Sequence, residues 1–232
     1  MDFNKFPSNS ALRYPFGRIS ARRLVIYSLC KRILDIVFSV MILVLGFPLF
    51  VLVAALIKVT SEGPVFYCSM RIGKEGKLFN CWKFRSMFCD AEHRLTQILA
   101  ENPHYKKEWQ EYFKLKKDPR LTPIGTLLRK SSLDEFPQFW NVLIGDLSLV
   151  GPRPFLPNEI HEIQRIIEDQ TDLLFSVKPG LTGIWQTSGR SQLTFQQRVM
   201  LDLNYIHQRS FLFDLSIIAK TVPMLLYSKG AF

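Results

Sequence analysis

Between Ile33 and Ile57 the chain carries a single charge, Asp35, in a run built almost wholly from Ile, Leu, Val, Phe, Met and Ala. As one straight helix the run would be roughly 37 Å long, enough to span a bilayer. Gly46, Phe47 and Pro48 fall near its middle, and a proline there removes a hydrogen bond and bends the helix. Arg22, Arg23, Lys31 and Arg32 precede the run, and Lys58, Arg71, Lys74 and Lys77 follow it. By the positive-inside rule both ends then prefer the cytoplasmic side. A helical hairpin that enters one leaflet and returns satisfies break and charges together. A spanning helix with a proline kink is the other reading, since membrane helices tolerate proline. The residues leave both open.

The 232 residues suffice for one domain with a full core and an appendage. A formal charge of +10 directs the search to an anionic partner, whether nucleic acid, lipid or nucleotide. With 47% apolar residues the balance moves toward a membrane surface. No helix-turn-helix, zinc finger or RNP-like aromatic strand is present, so nucleic acid is not expected as a partner. Cys30, Cys68, Cys81 and Cys89 form no CxxC pair and no framework; reduced and mostly buried thiols are expected. Cys89 and His93 have helical spacing but no second pair to complete a zinc site.

Residues 1–30 read as a basic arm, with Pro7, Pro15 and Gly17 and no sustained periodicity. After the turn signal Glu62-Gly63-Pro64, residues 65–67 and 77–85 are β-prone around Gly73 and Gly76, predicting a hairpin. Lys83 and Arg85, on either side of Phe84, read as a phosphate or headgroup contact or as solvated charge. A basic helix is predicted over 90–115, broken at Asn102-Pro103. Thr122-Pro123 predicts a capped helix start, with Arg129 in the last turn. Residues 134–143 predict a further helix, with Asp134 near its positive N-terminus, where a carboxylate is held ionised. Helices are predicted over 158–170 and 195–208, and the apolar tail 211–227 is expected to lie along an interface.

Function concentrates around Asp134 and Glu135, adjacent carboxylates placed between Arg129 and Arg153. In Gly151-Pro152-Arg153-Pro154 two prolines fix φ on either side of the arginine. Rigid cations beside a carboxylate pair suit chemistry on a phosphorylated substrate; a salt-bridge cluster at a helix end is the plainer reading. Trp185 reads as core, and Arg190, in a Ser/Gly-rich loop, as a phosphate or sugar contact.

The order of segments resembles the bacterial sugar transferases, the monotopic phosphoglycosyl transferases acting on polyprenyl phosphate. The likeness runs from Lys31 to Phe232. It rests on Lys31-Arg32-x-x-Asp35, Gly63-Pro64-Val65-Phe66, Lys83-Phe84-Arg85-Ser86-Met87 and Asp118-Pro119-Arg120-Leu121-Thr122. It continues through Leu133-Asp134-Glu135-Phe136-Pro137-Gln138, Asn141-Val142-Leu143, Gly145-Asp146, Gly151-Pro152-Arg153-Pro154 and Lys178-Pro179-Gly180-Leu181-Thr182-Gly183. Ser86, Phe136 and Leu147 stand where the family more often has Thr, Leu and Met; none of these changes removes a reactive group. Many members carry several spanning helices ahead of the catalytic part, so the chain reads as a compact member or a catalytic fragment.

The resemblance implies an α+β, mostly helical fold: a re-entrant helical hairpin over 31–60, broken at Phe47-Pro48, and a catalytic domain over 61–232 with a β-hairpin and interfacial amphipathic helices. It implies that a sugar-1-phosphate passes from a UDP-sugar to undecaprenyl phosphate with release of UMP. Asp134 maps onto the nucleophile, Glu135 onto the Mg²⁺-associated carboxylate, and Arg129 and Arg153 onto phosphate-binding arginines; Arg85 and Arg190 are added as phosphate contacts. Such enzymes sit in the bacterial inner membrane with the catalytic part on the cytoplasmic face, starting exopolysaccharide, capsule or O-antigen assembly, and a homo-oligomer is compatible with this. The stretch from Trp185 to Arg190 is similar to members that transfer glucose- or galactose-1-phosphate. An N-acetylated sugar, or a non-catalytic membrane-anchored role in a glycan assembly complex, is the alternative.

Overall fold

The computed structural model describes residues 21–112, 115, 117–188 and 193–227; Arg190 and the first twenty residues of the expected arm over 1–30 lie outside them, and the arm is corrected over 21–30, which form the first turns of a helix. The apolar run folds as two helices, α1 (Ala21–Leu45) and α2 (Phe47–Thr60), bent by 60° at Gly46. Pro48 sits in the first turn of α2, where its missing N–H costs nothing. The bend therefore follows from Gly46-Phe47-Pro48. Among the described residues no single helix is long and apolar enough to cross a membrane; the bent pair is, by length and composition. Val37, Val44, Leu45, Phe47, Leu52 and Val59 are exposed along it, more apolar surface than a water-soluble monomer normally leaves open.

Strands β1 (Phe66–Ile72) and β2 (Leu78–Phe84) form the expected antiparallel hairpin, with Phe66 opposite Phe84 and Ile72 opposite Leu78. Helices α3 (Ala91–Glu101) and α4 (Pro103–Tyr112) follow, broken at Asn102-Pro103 as expected. Helix α5 (Pro123–Ser131) begins at the expected cap. Thr122 Oγ1 accepts the Gly125 N–H at 2.9 Å, while Thr122 itself is buried. Thr122→Ala leaves that amide unpartnered and should cost about 1 kcal/mol, read as a Tm lower by roughly 2–4 °C in a thermal scan.

The expected helix over 134–143 is corrected to a 3₁₀ turn, Leu133–Glu135, and a short α6 (Gln138–Ile144). Pro137 has no N–H to bond the Leu133 carbonyl, which receives the Phe136 N–H instead at 3.2 Å. Likewise 158–170 divides into α7 (Ile160–Ile167) between two 3₁₀ turns. Short β3 (Ser148–Val150) pairs in parallel with β4 (Gly180–Thr182), and between them comes the one-turn α8 (Thr171–Leu174). Then follow α9 (Ile184–Ser188), α10 (Phe195–Gln208) and α11 (Phe211–Tyr227). The fold is α+β and mostly helical.

The main core gathers Leu147, Leu149 and Val150 of the β3 region with Phe155, Ile163, Leu174, Val199, Ile206 and Ile217. A smaller cluster joins Val53 and Ile57 of α2 to Phe84 and Leu128. The tail helix is thus more than an interfacial segment: Ile217 and Asp214 are buried on the core, while Leu212 and Val222 remain exposed. The thiols also depart from expectation, for only Cys81 is buried and Cys89 is exposed.

Three polar ties hold α1 to the rest. Arg32 donates to the carbonyls of Val142 and Leu143 at the end of α6, both at 2.7 Å, where a cation meets the negative helix end. Lys31 pairs with Asp214 of α11 at 2.6 Å, and the Tyr205 hydroxyl donates to the same carboxylate at 2.7 Å. Asp35 accepts from the Leu149 N–H at 2.8 Å and the Ser148 hydroxyl at 3.1 Å, which ties the apolar run to β3.

Candidate active site

Ser132 takes a left-handed conformation, φ 58°, and ends α5 by donating its N–H to the Arg129 carbonyl. This reversal turns the chain so that Leu133–Glu135 presents two carboxylates beside the last turn of α5, where Arg129 stands. Asn141 fixes the other side. Its Oδ1 accepts the Trp82 N–H at 3.0 Å and its Nδ2 donates to the Asn80 carbonyl at 2.7 Å, binding α6 to β2. The end of β2 thereby delivers Lys83, whose Nζ lies 2.6 Å from Glu135 Oε1. By the two-residue period of a strand, Lys83 and Arg71, opposite Tyr67 and Phe79, share one face of the hairpin.

Arg153 arrives from the loop after β3, which the parallel pairing anchors: Gly151 N–H donates to the Thr182 carbonyl at 2.9 Å and Gly180 N–H to the Pro152 carbonyl at 2.7 Å. The Arg153 N–H donates to Asp202 of α10 at 3.0 Å. Its guanidinium lies 5.0 Å over the Trp185 ring, and that of Arg198 lies 5.4 Å over the same ring. Trp185 is buried, as expected of a core residue, and also serves as the plate on which Arg153 rests. Burial pushes the Asp202 carboxyl up to about 7, against the lowering influence of Arg153.

The two adjacent carboxylates occupy different surroundings. Asp134 is 7% exposed; burial first and the Glu135 charge second push it up to about 6, with Lys83 and Arg129 opposing. The expectation that a helix N-terminus keeps Asp134 readily ionised is therefore corrected: α6 starts only at Gln138. Glu135 has a side chain 42% exposed. Its desolvation is outweighed by Lys83, Arg153 and Arg71, which hold it well below the usual carboxylate range. One carboxylate is thus ion-paired and held on the ionised side, and the other is pushed up toward neutrality.

Of the residues singled out in the sequence, Asp134, Glu135, Arg129 and Arg153 converge. Arg85 is placed otherwise. Its guanidinium binds the carbonyls of Ser61 and Glu62 and the Ser61 hydroxyl, closing the exit of α2 onto β2. Lys83, read in the sequence beside Arg85 as a phosphate contact or solvated charge, joins the cluster through Glu135, and so does Arg71, which only the hairpin register brings there. Arg129 Nε donates to Ser86 at 3.1 Å, and Arg71 Nη1 donates to the Pro154 carbonyl at 3.1 Å, so several cations are held in place before any ligand arrives. Among the described residues no three His, Cys, Asp or Glu side chains converge on a metal position. Two neighbouring carboxylates, one of them solvent-accessible, fit an ion that takes its remaining ligands from phosphate and water, as Mg²⁺ does. Four cations around two carboxylates make a site for a multiply anionic ligand.

The chain is similar to known proteins over most of its length. The bacterial sugar transferase family matches residues 26–228. An undecaprenyl-phosphate galactose phosphotransferase of Salmonella typhimurium is 44% identical over 203 residues, covering 87% of this chain and 41% of that protein. The exopolysaccharide production protein ExoY of Sinorhizobium fredii is 38% identical over 226 residues, 97% of this chain and 94% of its own length. A UDP-glucose:undecaprenyl-phosphate glucose-1-phosphate transferase of Escherichia coli is 37% identical over 209 residues, covering 88% of this chain and 42% of that protein. The chain thus spans about two fifths of the Salmonella and Escherichia relatives and nearly all of the Sinorhizobium one. This chain belongs to the bacterial sugar transferase family.

Proposed function

We propose that the protein transfers hexose-1-phosphate from a UDP-sugar to undecaprenyl phosphate, in two displacements at Asp134. The observation that carries the proposal is the buried Asp134 beside an ion-paired Glu135, ringed by Lys83, Arg71, Arg129 and Arg153. An Asp134 oxygen attacks the phosphorus that bears the sugar, the phosphorus–oxygen bond to the nucleoside phosphate breaks, and UMP leaves. An oxygen of the lipid phosphate then attacks the same phosphorus, and the Asp134 carboxylate is released unchanged. Anion attacking anion needs charge neutralisation, which Arg129 and Arg153 supply from fixed positions. Lys83 orients Glu135 and keeps it ionised. A Mg²⁺ ion held by Glu135, with Asp134 beside it, would add Lewis-acid neutralisation of the diphosphate when bound.

The bent α1–α2 pair is read as a re-entrant hairpin in the bacterial inner membrane, with residues 61–232 on the cytoplasmic face. The basic flanks and the exposed apolar faces support this. On this reading the carboxylates lie at headgroup depth, near the lipid phosphate. The names of the Salmonella and Escherichia relatives support galactose or glucose as the sugar.

The test is UMP release by the detergent-solubilised protein with undecaprenyl phosphate and Mg²⁺, comparing UDP-glucose, UDP-galactose and UDP-N-acetylglucosamine. Lipid-dependent release with a plain hexose donor is expected. Release with the acetylated donor alone would overturn the sugar, and a folded protein silent with every donor would overturn the reaction.

A further inference from the structure

Away from the carboxylates, a cavity of about 580 Å³ opens between the first half of α1, β3 and the loop 176–178, a size typical of small-ligand sites. Its lining shares no residue with Asp134, Glu135, Lys83, Arg71, Arg129 or Arg153. Five cations face it, Lys31, Arg32, Lys74, Lys178 and Arg209, against one carboxylate, Asp35. That carboxylate is already occupied by Leu149 and Ser148. Leu24, Val25, Val150 and Val177 supply the apolar part of the wall, and Leu24 and Val25 continue outward as exposed side chains. Arg32 and Lys31 are spent on α6 and Asp214, and Lys74 has an exposed ion pair with Glu75 at 3.3 Å, but Lys178 bonds to no described acceptor. Burial, and then the like charge of Arg32, makes its ammonium less favourable than in water. A cation held so, between other cations, is stabilised by an anion.

We propose that this cavity binds the phosphodiester headgroup of an anionic glycerophospholipid, with an acyl chain leaving along Leu24 and Val25. The cations meet the phosphate, and the apolar wall meets the start of the chain. The position suits it, since the cavity opens on the same helix that continues into the bent apolar pair. Lys74, with a half-exposed side chain at the β1–β2 turn, and Lys178 are the groups that reach the ligand from the catalytic part. The bound lipid would thus bridge α1 and that part from the outside, as Asp35 does from within.

The assay is calorimetric titration of the full chain in a neutral detergent with dihexanoyl-phosphatidylglycerol. Dihexanoyl-phosphatidylcholine and inorganic phosphate are the comparison ligands. Saturable one-to-one binding of the phosphatidylglycerol is expected, with both comparison ligands much weaker. Lys74→Gln/Lys178→Gln should weaken it roughly thirtyfold, for two lysines near an anionic headgroup. Lys178→Arg, which keeps the charge, should retain most of the affinity. Exposed lysines of α4 provide the control: Lys106→Gln/Lys107→Gln should change nothing. Equal loss in the control pair would reduce the effect to overall charge and overturn the site. Unchanged affinity in Lys74→Gln/Lys178→Gln would do so as well. Inorganic phosphate binding as tightly as the lipid would overturn the lipid in favour of a free anion.

Discussion

Asp134→Asn should lower UMP release by at least about a thousandfold, the scale expected when a nucleophile that carries both displacements is removed, and should at the same time make the protein more stable. The two effects have one cause. Burial and the neighbouring Glu135 charge push the Asp134 carboxyl up to about 6, so ionised Asp134 is disfavoured by the fold that uses it. For a group whose pKa rises on folding, the contribution to stability is complete below the unfolded value near 4 and is lost as pH rises through 6. At pH 7.5 the asparagine variant escapes that loss, on the order of 2 kcal/mol, seen as a Tm higher by roughly 4–8 °C. At pH 4 the advantage should shrink to nothing. Activity of the unsubstituted protein has the matching sign, falling as pH drops below about 6 because the attacking oxygen becomes protonated. An asparagine variant with full UMP release would exclude Asp134 as nucleophile. A variant as stable as the parent at pH 7.5 would show that the carboxylate is not strained.

What could be read in the residues beforehand was whatever short-range chemistry decides. Thr122-Pro123 starts α5 because a hydroxyl and a missing N–H act within one turn. The β1–β2 hairpin and its turn at Gly73 and Gly76 follow from local propensity. The bend at Gly46 follows from Pro48. The carboxylate pair is marked by its flanking arginines, and the roles proposed for it follow from the family resemblance. What was not legible depends on closure over long separations. Arg85 looked as available to phosphate as Lys83, two residues earlier on the strand. Yet the chain returns from α2 so that the Ser61 and Glu62 carbonyls take its donors. Asp202 of α10 meets the loop residue Arg153, a contact no spacing rule announces. The single helix expected over 134–143 failed for a local reason, the missing N–H of Pro137, which periodicity passes over.

Asp35→Ala should be among the most damaging substitutions outside the carboxylate cluster, lowering stability by on the order of 3 kcal/mol and Tm by roughly 6–12 °C in detergent. Asp35 is 3% exposed and accepts from the Leu149 N–H and the Ser148 hydroxyl. Alanine leaves both donors buried without a partner, and an unsatisfied buried donor costs more than a hydrogen bond contributes. Asp35→Asn keeps an acceptor oxygen of the same shape and should recover more than half of the loss. That ordering separates a hydrogen-bonding role from mere charge on α1. The consequence should extend to activity, because β3 ends only three residues before Arg153. Loosening β3 from α1 frees the loop that holds this guanidinium over Trp185, so UMP release should fall further than the folded fraction does. Equal stability of the alanine and asparagine variants would remove the hydrogen bonds from the account. A rate per folded molecule equal to that of the parent protein would mean that α1 carries the catalytic part without positioning its arginine.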